Sequence, residues 1–285
     1  MSRLTAAEIE TAIMKYREGL SLMEVSRLFG VSDTAIRGLL TRRGIVCRTL
    51  SESHRALDCN HNYFDEPLDE ARAYWIGFIL ADGTILEKSY GRTFQVSISL
   101  ADKDRGHLEK FKDALQSGHK IITTKHAGGL CARFSVSSAE MVASLGRFGV
   151  VPRKSAIQVF SELIPAGLLR HYFRGYFDGN GCIARNSSSK WTINNVSSEA
   201  FLSRFLDWID AHIGGHRPSI GFSCGVHRVS WSGTHRCKEI LDLLYSGATV
   251  YLDRKKAMYD AVCSDASASS RSAYNRRVAP TDRQK

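Results

Sequence analysis

Two short stretches of the chain end in an acidic or amide residue followed by glycine, and both have the residue types needed for chemistry. The first covers residues 74–83 and ends in Asp82 and a glycine, and the second covers residues 172–181 and ends in Asn180 and a glycine. Each stretch is apolar and predicts a helix, so its last side chain lies at the negative end of the helix dipole. A carboxylate at that end calls for a compensating cation. Two such ends at one interface would make a site for a divalent ion.

Small residues on the two predicted helices would allow their ends to come together. When the stretches are aligned on their final glycines, Gly77 matches Gly175 and Ala81 matches Gly179. Residues four apart lie on one face of a helix. A face of small residues lets two helices approach more closely than the usual ~8–10 Å, which would place the helix ends side by side.

The two stretches resemble the paired motifs of the LAGLIDADG homing endonucleases, and the likeness covers residues 62–261. In that family the motif helices form the interface between two halves, and two four-stranded antiparallel sheets make a saddle across DNA. The acid before the last glycine of each motif binds metal, and each active site serves one DNA strand. The resemblance therefore implies a DNA endonuclease that uses Mg²⁺, with Asp82 and Asn180 in the metal-binding places.

The second motif departs from the family because it has Asn180 where an acid is expected. An asparagine carbonyl can coordinate Mg²⁺, but it lacks the charge that attracts the ion and lowers the pKa of bound water. Asp178 lies two positions earlier, and such positions point about 200° apart on a helix, so it can replace Asn180 only if the helix ends at Gly179. Three outcomes stay open: a nickase, a slow or asymmetric double-strand cutter, and a binding protein that has lost cleavage. Asn180 also precedes glycine, a dipeptide prone to deamidation, and deamidation would restore an acid.

Each half ends in a basic run after its last helix. The family has a lysine in this region near the scissile phosphate. The resemblance therefore implies that Lys154 and Lys255 activate solvent or stabilise the transition state, with Arg153, Arg254 and Lys256 as alternatives.

The elements around the motifs recur in the same order in both halves. Strict alternation over residues 93–100 predicts a half-buried strand, and the pattern predicts later elements of the first half at 103–116, 119–125, 130–137 and 139–148. The matching elements of the second half are predicted at 182–185, 191–196, 199–212, 218–223, 227–232 and 234–244. The motif glycines are 98 residues apart, and a duplication of this length with matching order is hard to obtain by chance. The sequence predicts an α+β fold, a pseudo-twofold pair of αββαββα repeats.

Polar side chains alternate with the apolar ones along the predicted strands. Side chains on such a polar face can read base edges in the major groove of DNA, although any half-exposed antiparallel sheet has a polar face. The candidates for DNA contact on these strands are Gln95, Ser97, Arg133, Thr192, Asn194 and Arg228.

A small all-α domain is predicted before the repeats. Thr5 with Glu8, and Ser21 with Glu24, have capping-box spacing, and Ser32 can cap a third helix. Residues 24–43 resemble a helix-turn-helix, and the junction at 62–78 resembles that of phage-type family members with such a domain. The alternative is a three-helix packing module with a solvated basic face. The candidates for DNA contact here are Thr34, Arg37, Thr41, Arg42 and Arg43.

Composition limits the class of protein. The chain has 285 residues and a formal net charge of +10, which suggests a polyanionic partner without proving one. Seven scattered cysteines without a C-x-x-C pair indicate neither a disulfide framework nor a zinc ribbon. No apolar run approaches the ~20 residues needed to cross a bilayer, so we expect no membrane role.

These observations together predict five segments. They are a helix-turn-helix domain at 1–48, a linker at 49–69, the repeats at 70–160 and 161–262, and a disordered basic tail at 263–285. We expect a monomer without an obligate protein partner that acts on double-stranded DNA in the cytoplasm of a bacterial or phage-infected cell. The alternative function is a cleavage-deficient LAGLIDADG DNA-binding regulator or an RNA maturase, which the loss of an acid at Asn180 favours.

Overall fold

The structure, a computed structural model, describes residues 4–48, 59–88, 93–154, 159–186 and 190–278. The chain forms two compact units. The first comprises Met1–Cys59 with Gln116–His119, and the second comprises Asn60–Leu115 with Lys120–Lys285. Most of the predicted linker, residues 49–58, lies outside the described residues. None of the described helices combines the length and apolarity needed to span a bilayer.

The first unit consists of three helices, α1 (Ala6–Arg17), α2 (Leu22–Phe29) and α3 (Asp33–Arg42). Both predicted capping boxes are confirmed, since the Thr5 and Ser21 hydroxyls accept from the third helical residue and its glutamate returns the bond. Helix α2 ends at Gly30, whose φ of 63° is a left-handed conformation that glycine adopts without strain. The core of this unit contains Ala12, Ile13, Tyr16, Val25, Ile36, Leu39 and Leu40.

The second unit contains two repeats of the same element order. The first repeat comprises α4 (Glu70–Asp82), β1 (Gly83–Lys88), β2 (Thr93–Ala101), α5 (Arg105–Ala114), β3 (Ile122–His126), β4 (Gly129–Ser137) and α6 (Ala139–Arg147). The second comprises α7 (Leu169–Asn180), β5 (Gly181–Arg185), β6 (Trp191–Ser197), α8 (Glu199–Ile213), β7 (Gly221–Ser223), β8 (Val226–Ser232) and α9 (Thr234–Tyr245). A long helix, α10 (Asp253–Val278), follows.

Each repeat builds one four-stranded antiparallel sheet, with strand orders β1-β2-β4-β3 and β5-β6-β8-β7. The motif glycines begin corresponding edge strands, since Gly83 pairs with Ile98 and Gly181 pairs with Asn195. In each sheet most apolar side chains of the central strands are buried, and the side chains between them point to the opposite face; Leu130 and Val226, near the starts of β4 and β8, are exposed. The predicted α+β fold with two αββαββα repeats is therefore confirmed.

Two predicted strands begin later than their sequence patterns suggested. Strand β3 begins at Ile122 rather than at 119, because Ile122 is the first residue to pair with β4 and His119 belongs to the first unit. Strand β7 begins at Gly221 rather than at Pro218. Proline has no N–H to give to the strand ladder, which explains the shorter strand.

The structure also differs from the prediction of a disordered tail at 263–285, because helix α10 continues into this segment as far as Val278. Val262 and Ala266, one turn apart, are 0% and 3% exposed, so the helix gains from packing as well as from its alanine content. Residues 279–285 lie outside the described residues.

Candidate functional site

The two motif helices, α4 and α7, contact each other through their glycines. A Cβ atom placed on Gly77 would lie 2.0 Å from the carbonyl oxygen of Tyr172, and one placed on Gly175 would lie 2.0 Å from that of Tyr74. No side chain fits in such a space, so the two helix backbones are in direct contact. The contact is reciprocal, as expected for two halves related by a pseudo-twofold axis.

The ends of these helices meet one turn further on. A Cβ atom on Gly179 would lie 2.4 Å from the Cβ atom of Ala81 and 3.4 Å from Cγ of Asp82. The Asp82 carboxyl group therefore lies against the last turn of α7, beside Asn180. A cleft of about 420 Å³ adjoins this place and is lined by Ala81, Asn180 and the end of β6.

Asp82 is open to solvent on one side and crowded by protein on the others. Its side chain is exposed, and no described group donates a hydrogen bond to its carboxylate. Desolvation by the surrounding helix ends raises the pKa of Asp82 above its usual value. The positive charges of Lys255, Lys154 and Arg254 oppose that rise. The site thus combines an accessible carboxylate with a positive surrounding field.

Asn180 occupies the matching place in the second half, and it has a partner that Asp82 lacks. Its side-chain nitrogen Nδ2 donates to the hydroxyl of Tyr176 at 2.9 Å. The Tyr176 hydroxyl in turn donates to Ser197 Oγ at 2.7 Å. Burial raises the pKa of Tyr176 to about 12, so the hydroxyl keeps its proton at ordinary pH. Tyr176 is not among the residues predicted from the sequence. Its position one turn before Asn180 on the same helix is the feature of the sequence that indicates this contact.

Asp178 lies in the interior of the protein, away from the ends of the helices. It is 2% exposed, and its carboxylate accepts hydrogen bonds from the hydroxyls of Tyr74 at 2.7 Å and Tyr245 at 2.5 Å and from the backbone N–H of Leu252 at 2.8 Å. Helix α7 continues to Asn180, so the condition under which Asp178 could replace Asn180 is not met. Its matching residue in α4 is Leu80, which is also buried.

A buried polar network spreads from Asp178 across the interface between the halves. The Tyr74 hydroxyl that donates to Asp178 also lies 3.0 Å from Nε2 of His107. Burial lowers the pKa of His107 to about 3, with a smaller effect of Lys110 in the same direction, so the imidazole is neutral and Nε2–H can donate to Tyr74. His107 is not among the residues predicted from the sequence, because nothing in its local sequence shows that it packs against the motif helix.

A second interface pair lies at the other end of the motif helices. Arg174 on α7 is fully buried and donates to Glu70 on α4 at 2.6 Å. It also donates to the backbone oxygens of Leu244 at 3.0 Å and Val250 at 2.8 Å. The guanidinium therefore joins both halves and the segment before α10, which is a structural role.

The two predicted lysines are buried against the ends of the motif helices. Lys255 is 2% exposed and donates to the backbone oxygens of Asp178 at 2.8 Å and Gly181 at 2.6 Å. Lys154 is 6% exposed and donates to the backbone oxygen of Gly83. Desolvation lowers the pKa of both lysines, that of Lys255 to about 8. Each ammonium thus lies at the negative end of a motif helix and adds positive charge near Asp82.

The residues predicted to face DNA on the sheets lie on the side opposite the helices. Arg133 and Arg228 are exposed, and Gln95, Thr192 and Asn194 are partly exposed. Ser97 differs, since it is only 7% exposed and its hydroxyl accepts from Ser135 at 3.0 Å. Ser97 is therefore covered by the sheet rather than presented on its surface.

The candidates in the first unit are all exposed on or just after α3. They are Thr34, Arg37, Thr41, Arg42 and Arg43. Thr41 donates its hydroxyl to the backbone oxygen of Arg37 at 3.0 Å. Arg43 forms an ion pair with Glu10 at 2.6 Å, so its charge is partly neutralised within the unit.

The oxygen atoms at the helix ends suit a hard divalent cation, but they are few. Among the described residues, no group of three His, Cys, Asp or Glu side chains comes together as a metal site. The oxygens on offer are the Asp82 carboxylate, the side-chain oxygen of Asn180 and nearby backbone carbonyls. Mg²⁺ commonly binds through one or two carboxylates and keeps several waters, with phosphate completing its shell. The donor set fits that kind of binding.

Comparison with known proteins gives structural matches only, since no family model and no curated protein matches the chain. The LAGLIDADG meganuclease I-AabMI, bound to uncleaved DNA, is similar with 15% identity and a TM-score of 0.48, over 72% of this chain and 92% of that chain. The homing endonuclease I-GzeII, in complex with its DNA target, has 11% identity and a TM-score of 0.47 over 72% and 92%. The meganuclease I-CpaMI, bound to uncleaved DNA, has 11% identity and a TM-score of 0.46 over 70% and 93%.

Proposed function

We propose that this chain is a homing-endonuclease-like protein of the LAGLIDADG type, which binds a specific site in double-stranded DNA and hydrolyses a phosphodiester bond there. The observation that carries the proposal is the Asp82 carboxylate, which is exposed at the meeting point of two motif helices. It has no described hydrogen-bond partner and is surrounded by positive charge. A carboxylate kept accessible at the negative end of a helix is costly unless a cation compensates it. The pseudo-twofold pair of sheets supplies two polar faces for the two halves of a DNA site.

The cation of this proposal is Mg²⁺, held by Asp82 at the first helix end and by the side-chain oxygen of Asn180 at the second. When bound, it would stabilise negative charge on the phosphate and make a bound water more acidic. Asp82 supplies the negative charge that attracts the ion, and its exposed position leaves room for water and phosphate. Asn180 supplies a neutral oxygen, so the second helix end is the weaker of the two.

Lys154 and Lys255 contribute to the site in this proposal through their charge. Both ammonium groups donate to backbone oxygens at the helix ends, so they are held in place before DNA binds. Their field favours the approach of a phosphate and the negative charge that develops during hydrolysis. Because they are buried, we assign them electrostatic stabilisation rather than direct proton transfer.

The difference between the helix ends leads to a preference between the DNA strands. If each end serves one strand, as in the family, the strand served by Asp82 is cut faster than the strand served by Asn180. The expected products are nicks, with slower conversion to double-strand breaks. The exposed basic residues of the sheets and of α3, such as Arg133, Arg228 and Arg37, contribute DNA affinity.

We also infer that one chain is sufficient for activity, because it contains both halves of the pseudo-twofold unit. The protein then acts as a monomer on DNA in the cytoplasm of a bacterial or phage-infected cell. The second candidate function is a LAGLIDADG regulator or RNA maturase that binds without cutting. Asn180 is the residue that favours it.

The test is cleavage of a randomised DNA library in Mg²⁺, scored separately for nicks on each strand and for double-strand breaks. Asp82→Asn should abolish the major nick, and Asn180→Asp should increase cutting of the other strand. Asp113→Asn makes the same chemical change on the exposed face of α5 and serves as the control. If the wild type binds a specific site but cuts neither strand with any divalent metal, the nuclease proposal is wrong and the binding-protein candidate takes its place.

A further inference from the structure

The second motif helix contains a side-chain contact that the first cannot make. Asn180 Nδ2 donates to the hydroxyl of Tyr176, one turn earlier, at 2.9 Å. The residue of the first helix that matches Tyr176 is Phe78, which has no hydroxyl, and the residue that matches Asn180 is Asp82. The halves therefore differ at both of these matching positions, and in the second half the two residues are bonded to each other.

The groups beyond Tyr176 fix the direction of this hydrogen bond. The Tyr176 hydroxyl lies 2.7 Å from Ser197 Oγ and 3.3 Å from the backbone oxygen of Val196. A phenol has one hydrogen to donate, and a backbone oxygen can only accept. Once that hydrogen is directed toward β6, the phenol oxygen can only accept from Asn180. The amide nitrogen of Asn180 fits this place, and the amide oxygen is then directed away from Tyr176.

We propose that Tyr176 is a positioning residue, which holds the Asn180 amide with its nitrogen inward and its oxygen turned toward the cation and phosphate side. This inference rests on the proposed function, which it deepens by giving the second helix end an oriented neutral ligand. It also means that Tyr176 and Asn180 act as a pair in the second half.

The hydrogen bond between Asn180 and Tyr176 affects what happens when an acid is introduced at position 180. A carboxylate offers only acceptors, so Asp at position 180 would face the lone pairs of the Tyr176 oxygen unless the tyrosine gave up its bond to β6. The single change Asn180→Asp therefore creates a mismatch. The double change Tyr176→Phe with Asn180→Asp reproduces the Phe78 and Asp82 arrangement of the first half and removes the mismatch.

The first experiment measures the orientation of Asn180 without any need for activity. In deamidation, the backbone nitrogen of Gly181 attacks Cγ of Asn180 and the side-chain amide leaves as ammonia. Water then opens the cyclic imide to aspartate or isoaspartate. The attack requires the side chain to rotate away from Tyr176, so the hydrogen bond should slow it. Peptide mapping of the folded, full-length protein during storage follows the conversion.

Tyr176→Phe should deamidate at Asn180 about tenfold faster than the wild type, which is the effect expected from loss of one hydrogen bond. Tyr172→Phe removes a hydroxyl one turn earlier on the same helix, which lies near the backbone of Ser161 rather than near Asn180, and should behave like the wild type. Equal rates in Tyr176→Phe and the wild type would overturn the inference. Thermal melts of both variants identify any general loss of structure.

The second experiment is strand-resolved cleavage in Mg²⁺, with the two strands told apart by their dependence on Asp82. The double variant Tyr176→Phe with Asn180→Asp should cut the Asp82-independent strand about tenfold faster than Asn180→Asp alone. A double variant no faster than the single one would overturn the inference. If the wild type and all variants cut neither strand, the proposed function fails, and the deamidation rates still decide the role of Tyr176.

Discussion

The ammonium nitrogen of Lys255 lies 2.6 Å from the backbone oxygen of Gly181, the glycine that follows the second motif helix. The first half has the same arrangement, in which Lys154 donates to the backbone oxygen of Gly83. The last carbonyl groups of a helix have no partner within it and carry the negative end of its dipole, so a cation stabilises them. Each motif helix therefore ends against a buried lysine from the same half of the protein, next to Asp82.

Burial of Lys255 predicts an unusual dependence of stability on pH. Desolvation lowers its pKa from 10.5 to about 8, so between these pH values the folded protein binds fewer protons at this residue than the unfolded chain. Stability contributed by this residue therefore rises as pH increases through that window. Lys255→Met removes the effect. The free energy of unfolding of the wild type, minus that of the variant, should increase by up to about 3 kcal/mol over the window.

Denaturant unfolding at a series of pH values measures this difference. Other groups also titrate in alkaline solution, but subtracting the variant at each pH cancels their contribution. A difference that stays flat, or that falls as pH rises, would show that the ammonium is not held in a desolvated place.

The positions of these lysines illustrate what the sequence does and does not reveal. The duplicated motif predicts the close helix pair, because small residues four apart need no tertiary information to be recognised. The basic runs can also be recognised in the sequence. Where their lysine side chains lie, however, depends on the path of the chain after α6 and α9, which the sequence does not show. Asp178 shows the same limit. From its spacing alone, Asp178 could either replace Asn180 as a ligand or lie elsewhere. Only the three-dimensional structure shows that its position, like that of Leu80 in the first half, is buried in the helix interface.

The close helix contact predicts a steep cost for adding one methyl group. Gly77→Ala would place its Cβ 2.0 Å from a backbone oxygen of the other helix, which cannot move aside as a flexible side chain can. The variant should lose about 3 kcal/mol or more of unfolding free energy, the upper end of the cost of overpacking a core. Gly175→Ala should behave in the same way because its contact is the reciprocal one.

Gly106→Ala is the matched control for this prediction. Gly106 lies in helix α5, and a Cβ atom there meets nothing within 4 Å. Alanine is the better helix former by about 1 kcal/mol, so this variant should be as stable as the wild type or more stable. Thermal and denaturant unfolding compare the three variants with the wild type. A Gly77→Ala protein with wild-type stability would contradict the helix contact.

The last prediction concerns Asp178, which holds the hydroxyls of Tyr74 and Tyr245 inside the interface. Asp178→Leu copies Leu80 of the first half but leaves both hydroxyls and the Leu252 N–H without their acceptor. Each unsatisfied buried group costs about 1–3 kcal/mol, so the single variant should be strongly destabilised. A triple variant that also has Tyr74→Phe and Tyr245→Phe removes the two orphan hydroxyls and should recover part of that loss, since it also takes the Tyr74 hydroxyl away from Nε2 of His107. Because Asp178 does not reach the helix ends, the folded triple variant should retain nicking that depends on Asp82. Loss of this nicking in a triple variant that melts well above the assay temperature would show that Asp178 takes part in the reaction after all.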